Sequence, residues 1–280
     1  MLVRLLSHEP AKGSYNMAVD EAILRSCARG ETGPTLRFYQ WNPACLSLGY
    51  FQDVSREVNM EALPSQGVDL VRRVTGGKAV LHDNELTYSV VVPEKMLPGS
   101  VLETYRRISQ ALVEGLRLMG IPATLAALEH GVTSRDPRFR QAACFSAPSW
   151  FEILWEGKKL IGSAQNRKSG IILQHGSIPL RFDASKLVKC ILTKSPEHAE
   201  RTRSMLERKA AGVCDALGRE CERFELEEHL KAGFAAALGW QLEPGNLTAR
   251  EEEEAKKLAE TKYGNPAWTM ERGRQNEDLH

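Results

Sequence analysis

Three features of this chain have residue types suited to acyl transfer. They are Cys144 in Gln141-Ala-Ala-Cys-Phe-Ser-Ala-Pro-Ser149, Lys159 at the head of Lys159-Leu-Ile-Gly-Ser-Ala-Gln165, and the paired glycines of Arg72-Arg-Val-Thr-Gly-Gly-Lys-Ala-Val-Leu-His82. A thiolate can hold an acyl group as a thioester, an ammonium can favour that thiolate and later a tetrahedral oxyanion, and adjacent glycines let backbone close on a ligand. Each has a plainer reading when taken singly. A free cysteine usually packs as a small hydrophobe, a Gly-Gly pair usually makes a hairpin turn, and a lysine that opens a strand is usually solvated. The glycines lack GxGxxG and GxxxxGK[ST] spacing, so neither a dinucleotide fingerprint nor a P-loop is supported. His82 and His175 read alone as satisfied structural histidines, because no Ser-His-Asp set can be assembled around them. Strand alternation lets at most one of Arg72 and Arg73 face a site.

The chain is long enough to hold these groups on a full core, with 280 residues of which 42% are hydrophobic. Its 37 basic and 36 acidic residues nearly cancel, so no global field marks nucleic acid as a partner, and positive charge for an acidic partner would have to be concentrated locally. Six cysteines, at 27, 45, 144, 190, 214 and 221, include no CxxC pair and no histidine at metal-ligand spacing, and read as reduced thiols with no metal site. The N-terminal apolar stretch is too short for a signal peptide, and nowhere do about 18 apolar residues run together. A soluble cytoplasmic protein without a membrane partner is the expectation.

The pattern predicts a short strand at 2–6, a helix at 16–27 with acids early, and strands at 35–41 and 45–50, which Asn42-Pro43 would join as a hairpin. Strands at 70–73 and 85–92 would flank the Gly76-Gly77 loop. Val101, Leu102, Tyr105, Ile108, Leu112, Leu116 and Met119 form an apolar stripe that predicts a helix ended by Gly120 and Pro122. Further strands are expected at 151–155, 160–165 and 170–180, the first two joined tightly at Glu156-Gly157-Lys158. Helix follows over 196–217, up to Gly239, and from the capping-box pattern Thr248-Ala-Arg-Glu251 to about 261. Hairpins outnumber crossovers, so the fold class read here is α/β with a mixed, largely antiparallel sheet flanked by helices.

Six blocks give the chain a resemblance: Asn16-Met-Ala-Val-Asp-Glu21, Trp41-Asn-Pro through Leu46-Ser-Leu-Gly-Tyr-Phe-Gln52, RRVTGGKAVLH at 72–82, ELTYSV at 85–90, GKKLIGSAQ at 157–165 and LQHGSIPL at 173–180. In this order they resemble the lipoate-protein ligase and octanoyltransferase family, with Lys262-Tyr-Gly-Asn-Pro-Ala-Trp268 resembling its closing segment. The segment CFSAPSWFE is similar to the one that carries the acyl-accepting cysteine in LipM-type octanoyltransferases. The resemblance implies a biotin/lipoate ligase-like catalytic fold in one domain over 1–280, with a core at about 33–245 and a C-terminal helical segment at about 246–270. It implies Cys144 and Lys159 as catalytic residues, with Lys158 the adjacent alternative. It also implies Arg73, Thr75, Gly76, Gly77, His82, Gly162, Ser163, Ala164 and His175 around the substrate.

The implied reaction needs no cofactor. Octanoyl-acyl carrier protein would acylate Cys144, and the lysine of a lipoyl domain, such as glycine cleavage H protein or those of 2-oxoacid dehydrogenases, would take the acyl group. Gly76 and Gly77 would leave room for the chain, with Val80 and Ile161 as walls, and Arg135, Arg138 and Arg140 would form a docking loop. An ATP-dependent lipoate ligase and a catalytically silent acyl-binding protein remain the alternatives, octanoylated H protein is the other candidate donor, and the oligomeric state stays open, a monomer among the options.

Overall fold

The computed structural model describes residues 1–127 and 151–271. Cys144 and the loop with Arg135, Arg138 and Arg140 lie outside the described residues. In chain order the elements are β1 (Leu2–Ser7), α1 (Gly13–Ala28), β2 (Thr35–Tyr39), β3 (Ala44–Leu48), α2 (Val54–Glu57), α3 (Ala62–Ser65), β4 (Val68–Arg72), β5 (Val80–His82), β6 (Glu85–Pro93), α4 (Val101–Leu118) and β7 (Thr124–Ala127). After the undescribed stretch come β8 (Phe151–Trp155), β9 (Lys158–Lys168), β10 (Ile171–Pro179), α5 (Ala184–Cys190), α6 (Pro196–Lys209), α7 (Val213–Leu217), α8 (Arg223–Leu238), β11 (Gln241–Pro244), α9 (Ala249–Leu258) and α10 (Pro266–Glu271).

An eight-stranded sheet runs β11-β1-β2-β6-β10-β9-β8-β7, and a three-stranded sheet runs β4-β3-β5. In the large sheet only the β11–β1 and β1–β2 pairs are parallel, which agrees with the largely antiparallel expectation. One face buries Phe38, Leu86, Tyr88 and Val90 against α4 and α8. The stripe on α4 explains its seat there, and its start is fixed by a capping box in which Ser100 Oγ accepts from Glu103 N–H and the Glu103 carboxylate accepts from Ser100 N–H. The opposite face lies under α1 and α9, and the small sheet packs with α5 and α6 around Leu46, Leu187 and Leu206.

Two expectations are corrected. The strands at 35–41 and 45–50 are not a hairpin: β2 is hydrogen-bonded on both edges, to β1 and β6, so β3 has no edge to join and pairs with β4 and β5 in the other sheet. The helix expected over 196–217 is broken into α6 and α7, because the backbone at Ala210 and Ala211 is extended to pair with Lys159, Ala211 N–H donating to its carbonyl at 3.1 Å. The capping box at Thr248 and Glu251 forms as read, and that helix passes into a π-helical turn over 259–263.

Candidate active site

The face of the large sheet under α1 is polar, although it is buried. In β6, Glu85, Thr87 and Ser89 alternate with apolar or aromatic residues, and register sets Thr87 opposite Ser177 and Ser89 opposite His175 of β10. On the other side Tyr39 and Arg37 of β2 pair with the same Thr87 and Ser89. Paired residues share a face, so these side chains form one ladder, and all of them are buried. Burial of polar groups is tolerated mainly where they are hydrogen-bonded, and two clusters meet that need for the ladder except at Ser89, whose buried Oγ has no hydrogen-bond partner among the described residues.

The first centres on Asp20 of α1. Its carboxylate receives Arg37 Nη1 at 2.7 Å, Tyr39 Oη at 3.0 Å and His175 Nδ1 at 3.1 Å, while Asn16 Oδ1, one turn earlier, receives Arg37 Nη2. Burial alone would push Asp20 up, but the His175 hydrogen bond and the Arg37 charge outweigh it and hold the carboxyl below its ordinary range. A carboxylate acceptor requires the hydrogen on His175 Nδ1, and Nε2 meets Thr75 Oγ1 at 2.7 Å. Thr75 Oγ1 in turn receives Arg73 Nε at 3.1 Å. The second cluster centres on Glu85, which accepts from Thr87 and Ser177, and Thr87 Oγ1 receives the Trp41 indole N–H at 2.8 Å. His82 stacks on Trp41 with ring centroids 3.9 Å apart and meets Ser47 Oγ through Nε2 at 2.8 Å. Burial pushes His82 below its ordinary value, against the raising effect of Glu85.

Between the clusters lies a small, half-open cavity of about 20 Å³. Met17, Tyr39, Trp41 and Val80 give it apolar walls, and Arg73, His82, Gly162, Ser163, Ala164 and His175 all line it. Thr75, Gly76 and Gly77 stand one layer behind: Thr75 anchors His175, and the carbonyls of Gly76 and Lys78 hold Arg73 Nη2. Ile161 is not on this wall; it lies in the apolar cluster beneath α4. Arg72 faces away from the cavity and donates to the carbonyls of Gly49, Tyr50, Gln52 and Thr269, as strand alternation with Arg73 requires.

Lys159 owes its orientation to a β-bulge. Ile153 of β8 pairs with Ile161, but the next residue, Leu154, pairs with Lys159, so Leu160 is the extra residue. A bulge reverses the order of inward and outward side chains along a strand. Leu160 and Ile161 both enter the cluster under α4, and Lys159 falls on the face that carries Gly162 and Ala164. It is buried and its ammonium is 3.2 Å from the Glu152 carboxylate on the same face, whereas Lys158 is half-buried at the turn.

This chemistry coincides with a known pattern. The lipoyl protein ligase A/B catalytic domain model matches residues 12–235. The chain is 48% identical over 267 residues to the octanoyltransferase LipM of Kyrpidia tusciae, covering 95% of this chain and 97% of that protein. With the octanoyltransferase LipM of Bacillus subtilis it shares 40% over 274 residues, covering 96% and 98%. The chain belongs to the lipoyl protein ligase A/B family. Among solved structures of this family, a bipartite lipoate protein ligase from Thermoplasma acidophilum superposes with a TM-score of 0.80 at 26% identity, covering 96% of each chain. A lipoate-protein ligase A bound with ATP superposes with a TM-score of 0.78 at 29% identity, covering 96% of this chain and 99% of that one.

The glycines of this family member act through close backbone packing. A Cβ on Gly49 would stand 2.0 Å from the Gly77 carbonyl oxygen, and Gly77 itself holds φ +93°, a conformation few side chains accept. Gly76 has open space around its would-be Cβ. Gly49→Ala is therefore expected to push the Gly-rich loop off Arg73, cutting kcat/KM at least about tenfold and lowering Tm, while Gly76→Ala keeps both near wild type. Equal behaviour of the two variants would contradict the packing role.

Among the site residues not singled out from sequence are Asp20, Arg37, Ser47 and Trp41. Glu85, Thr87 and Ser177 are also among them, and for these the signal was present in the polar residues that interrupt Glu85-Leu-Thr-Tyr-Ser-Val and Leu-Gln-His-Gly-Ser-Ile.

Proposed function

We propose that this chain moves octanoyl from octanoyl-acyl carrier protein to the lysine of a lipoyl domain, such as glycine cleavage H protein or those of 2-oxoacid dehydrogenases, through a thioester on Cys144, in the cytoplasm. The observation that carries the reading is the buried ammonium of Lys159, turned by its bulge to the side of β9 that borders an apolar cavity. The Cys144 thiolate attacks the donor thioester carbon, and the tetrahedral oxyanion collapses with loss of the carrier thiolate, which takes a proton. The acceptor amine then attacks the acyl-cysteine, loses a proton and releases the Cys144 thiolate. The first step exchanges like bonds, and the second turns a thioester into a more stable amide, so no ATP is consumed. A cation beside Cys144 favours the thiolate and both oxyanions. Arg73, Thr75, His82 and His175, tied to one another and to Asp20 and Ser47, hold the cavity rigid so that chain and thioester are presented in one register. Burial of the six methylenes and terminal methyl of an octanoyl chain contributes about 5 kcal/mol, enough for a chain-length preference.

Octanoyl transfer to a lipoyl domain with ATP omitted separates this reaction from ligase chemistry: transfer without ATP is expected, and a strict ATP requirement would overturn the proposal. The lysine assignment is tested beside it. Lys159→Ala is expected to lower the transfer rate about 100- to 10,000-fold, and Lys159→Arg, which keeps charge but changes reach and cannot readily deprotonate, to be impaired as well. Lys158→Ala should stay near wild type. A dead Lys158→Ala with an active Lys159→Ala would move the role to Lys158.

A further inference from the structure

We propose that the surface formed by α5 and α6 docks the acidic carrier protein that brings the acyl donor, an inference that rests on the transfer reaction above. In a chain of net charge +1, residues 184–210 hold seven Lys or Arg against three Glu. Lys189, Lys194, Arg201, Arg208 and Lys209 are exposed, and none of them has an ion-pair partner among the described residues. Arg203, by contrast, is held by Glu200 and Glu207. Arg201 and Arg208 are seven residues apart on α6, which aligns them along one stripe of the helix. The other side of α6 is fixed inward, with Leu206 and the following Ala210 buried in the small-sheet core.

The cationic stripe leads to the site. The chain leaves α6 at Lys209, and Ala210 and Ala211 pair with the backbone of Lys159. Positive charge concentrated in this way, with no partner carboxylates among the described residues, steers an acidic partner to it. A carrier brings acidic side chains and the phosphodiester of its prosthetic arm, both attracted by Arg201, Arg208 and Lys209.

The test compares Arg201→Glu/Arg208→Glu with Lys256→Glu/Lys257→Glu, an equal change of net charge at exposed positions of α9. Binding of unacylated acyl carrier protein is read by fluorescence anisotropy at low and high salt, and Tm is checked for each variant. The α6 variant is expected to bind about tenfold or more weakly at low salt, with the difference shrinking as salt rises, and Cys144 acylation by octanoyl-carrier protein should fall in parallel. Acylation by a small neutral octanoyl thioester, transfer from pre-loaded enzyme to a lipoyl domain, and every property of the α9 variant should stay within about twofold of wild type. Unchanged carrier binding overturns the proposal. So does an equal loss with the neutral thioester, which would make the surface part of the site, or a loss confined to the acceptor step, which would assign it to the lipoyl domain. If the charge reversal lowers Tm, Arg201→Gln/Arg208→Gln is read the same way with a smaller expected effect. Weakened carrier binding in a protein that never forms a thioester would uphold the docking surface and refute the transfer chemistry.

Discussion

Cys144→Ala is expected to lower octanoyl transfer by about 10⁴- to 10⁶-fold, the scale of loss when a covalent nucleophile is removed. Its Tm and its affinity for unacylated carrier protein are expected to match wild type. Cys144→Ser should be nearly as poor, since a hydroxyl at its ordinary pKa is a far weaker nucleophile than a thiolate. The five cysteines among the described residues, at 27, 45, 190, 214 and 221, are all buried, and burial pushes Cys27, Cys45, Cys190 and Cys221 above the usual thiol range. They should resist thiol reagents that modify Cys144. Near-normal turnover by Cys144→Ala would remove the covalent intermediate from the reaction.

The second large effect concerns stability. Asp20→Ala is expected to cost about 3–5 kcal/mol of unfolding free energy, because it strands the buried Arg37 guanidinium without its carboxylate and removes the acceptor of Tyr39 and His175. Asp20→Leu combined with Arg37→Met should recover much of the loss, since an apolar pair avoids the unpaired charge. The pH dependence has a definite sign. Asp20 is held below its unfolded value of about 3.9, so its contribution is fully present above that pH and disappears as pH falls through the folded value. Urea unfolding at pH 7 should therefore separate wild type from Asp20→Ala widely, and the gap should close progressively below about pH 4. A gap independent of pH across that window would mean that the stability of Asp20 does not come from its charge.

Periodicity and local chemistry made much of this architecture readable. The α4 stripe, the Thr248 capping box, the Glu156-Gly157 turn and the Gly-rich loop between strands all follow from short-range pattern. What was not readable depends on partners distant in sequence. Period-two alternation sets Lys159 on the same side as Ile161, and only the slip in pairing with β8 reverses it. Adjacent strands at 35–39 and 44–48 look like a hairpin, yet the choice of partner was made by the occupied edges of β2. Asp20 and Glu21 read as early helix acids that favour the N-terminus, whereas α1 buries both, each against a distant cation: Arg37 for Asp20 and Lys262 for Glu21. The histidines read as satisfied structural groups are satisfied, and they also line the cavity.

The most direct test of the account is the intact mass of wild-type protein after mixing with octanoyl-acyl carrier protein, without ATP and without acceptor. A gain of one octanoyl group is expected, mapped to Cys144 by peptide mass, removed by hydroxylamine and discharged to the lipoyl-domain lysine when that domain is added. An unmodified protein that nevertheless octanoylates the lipoyl domain in the same mixture, or a hydroxylamine-resistant adduct at another residue, would contradict it.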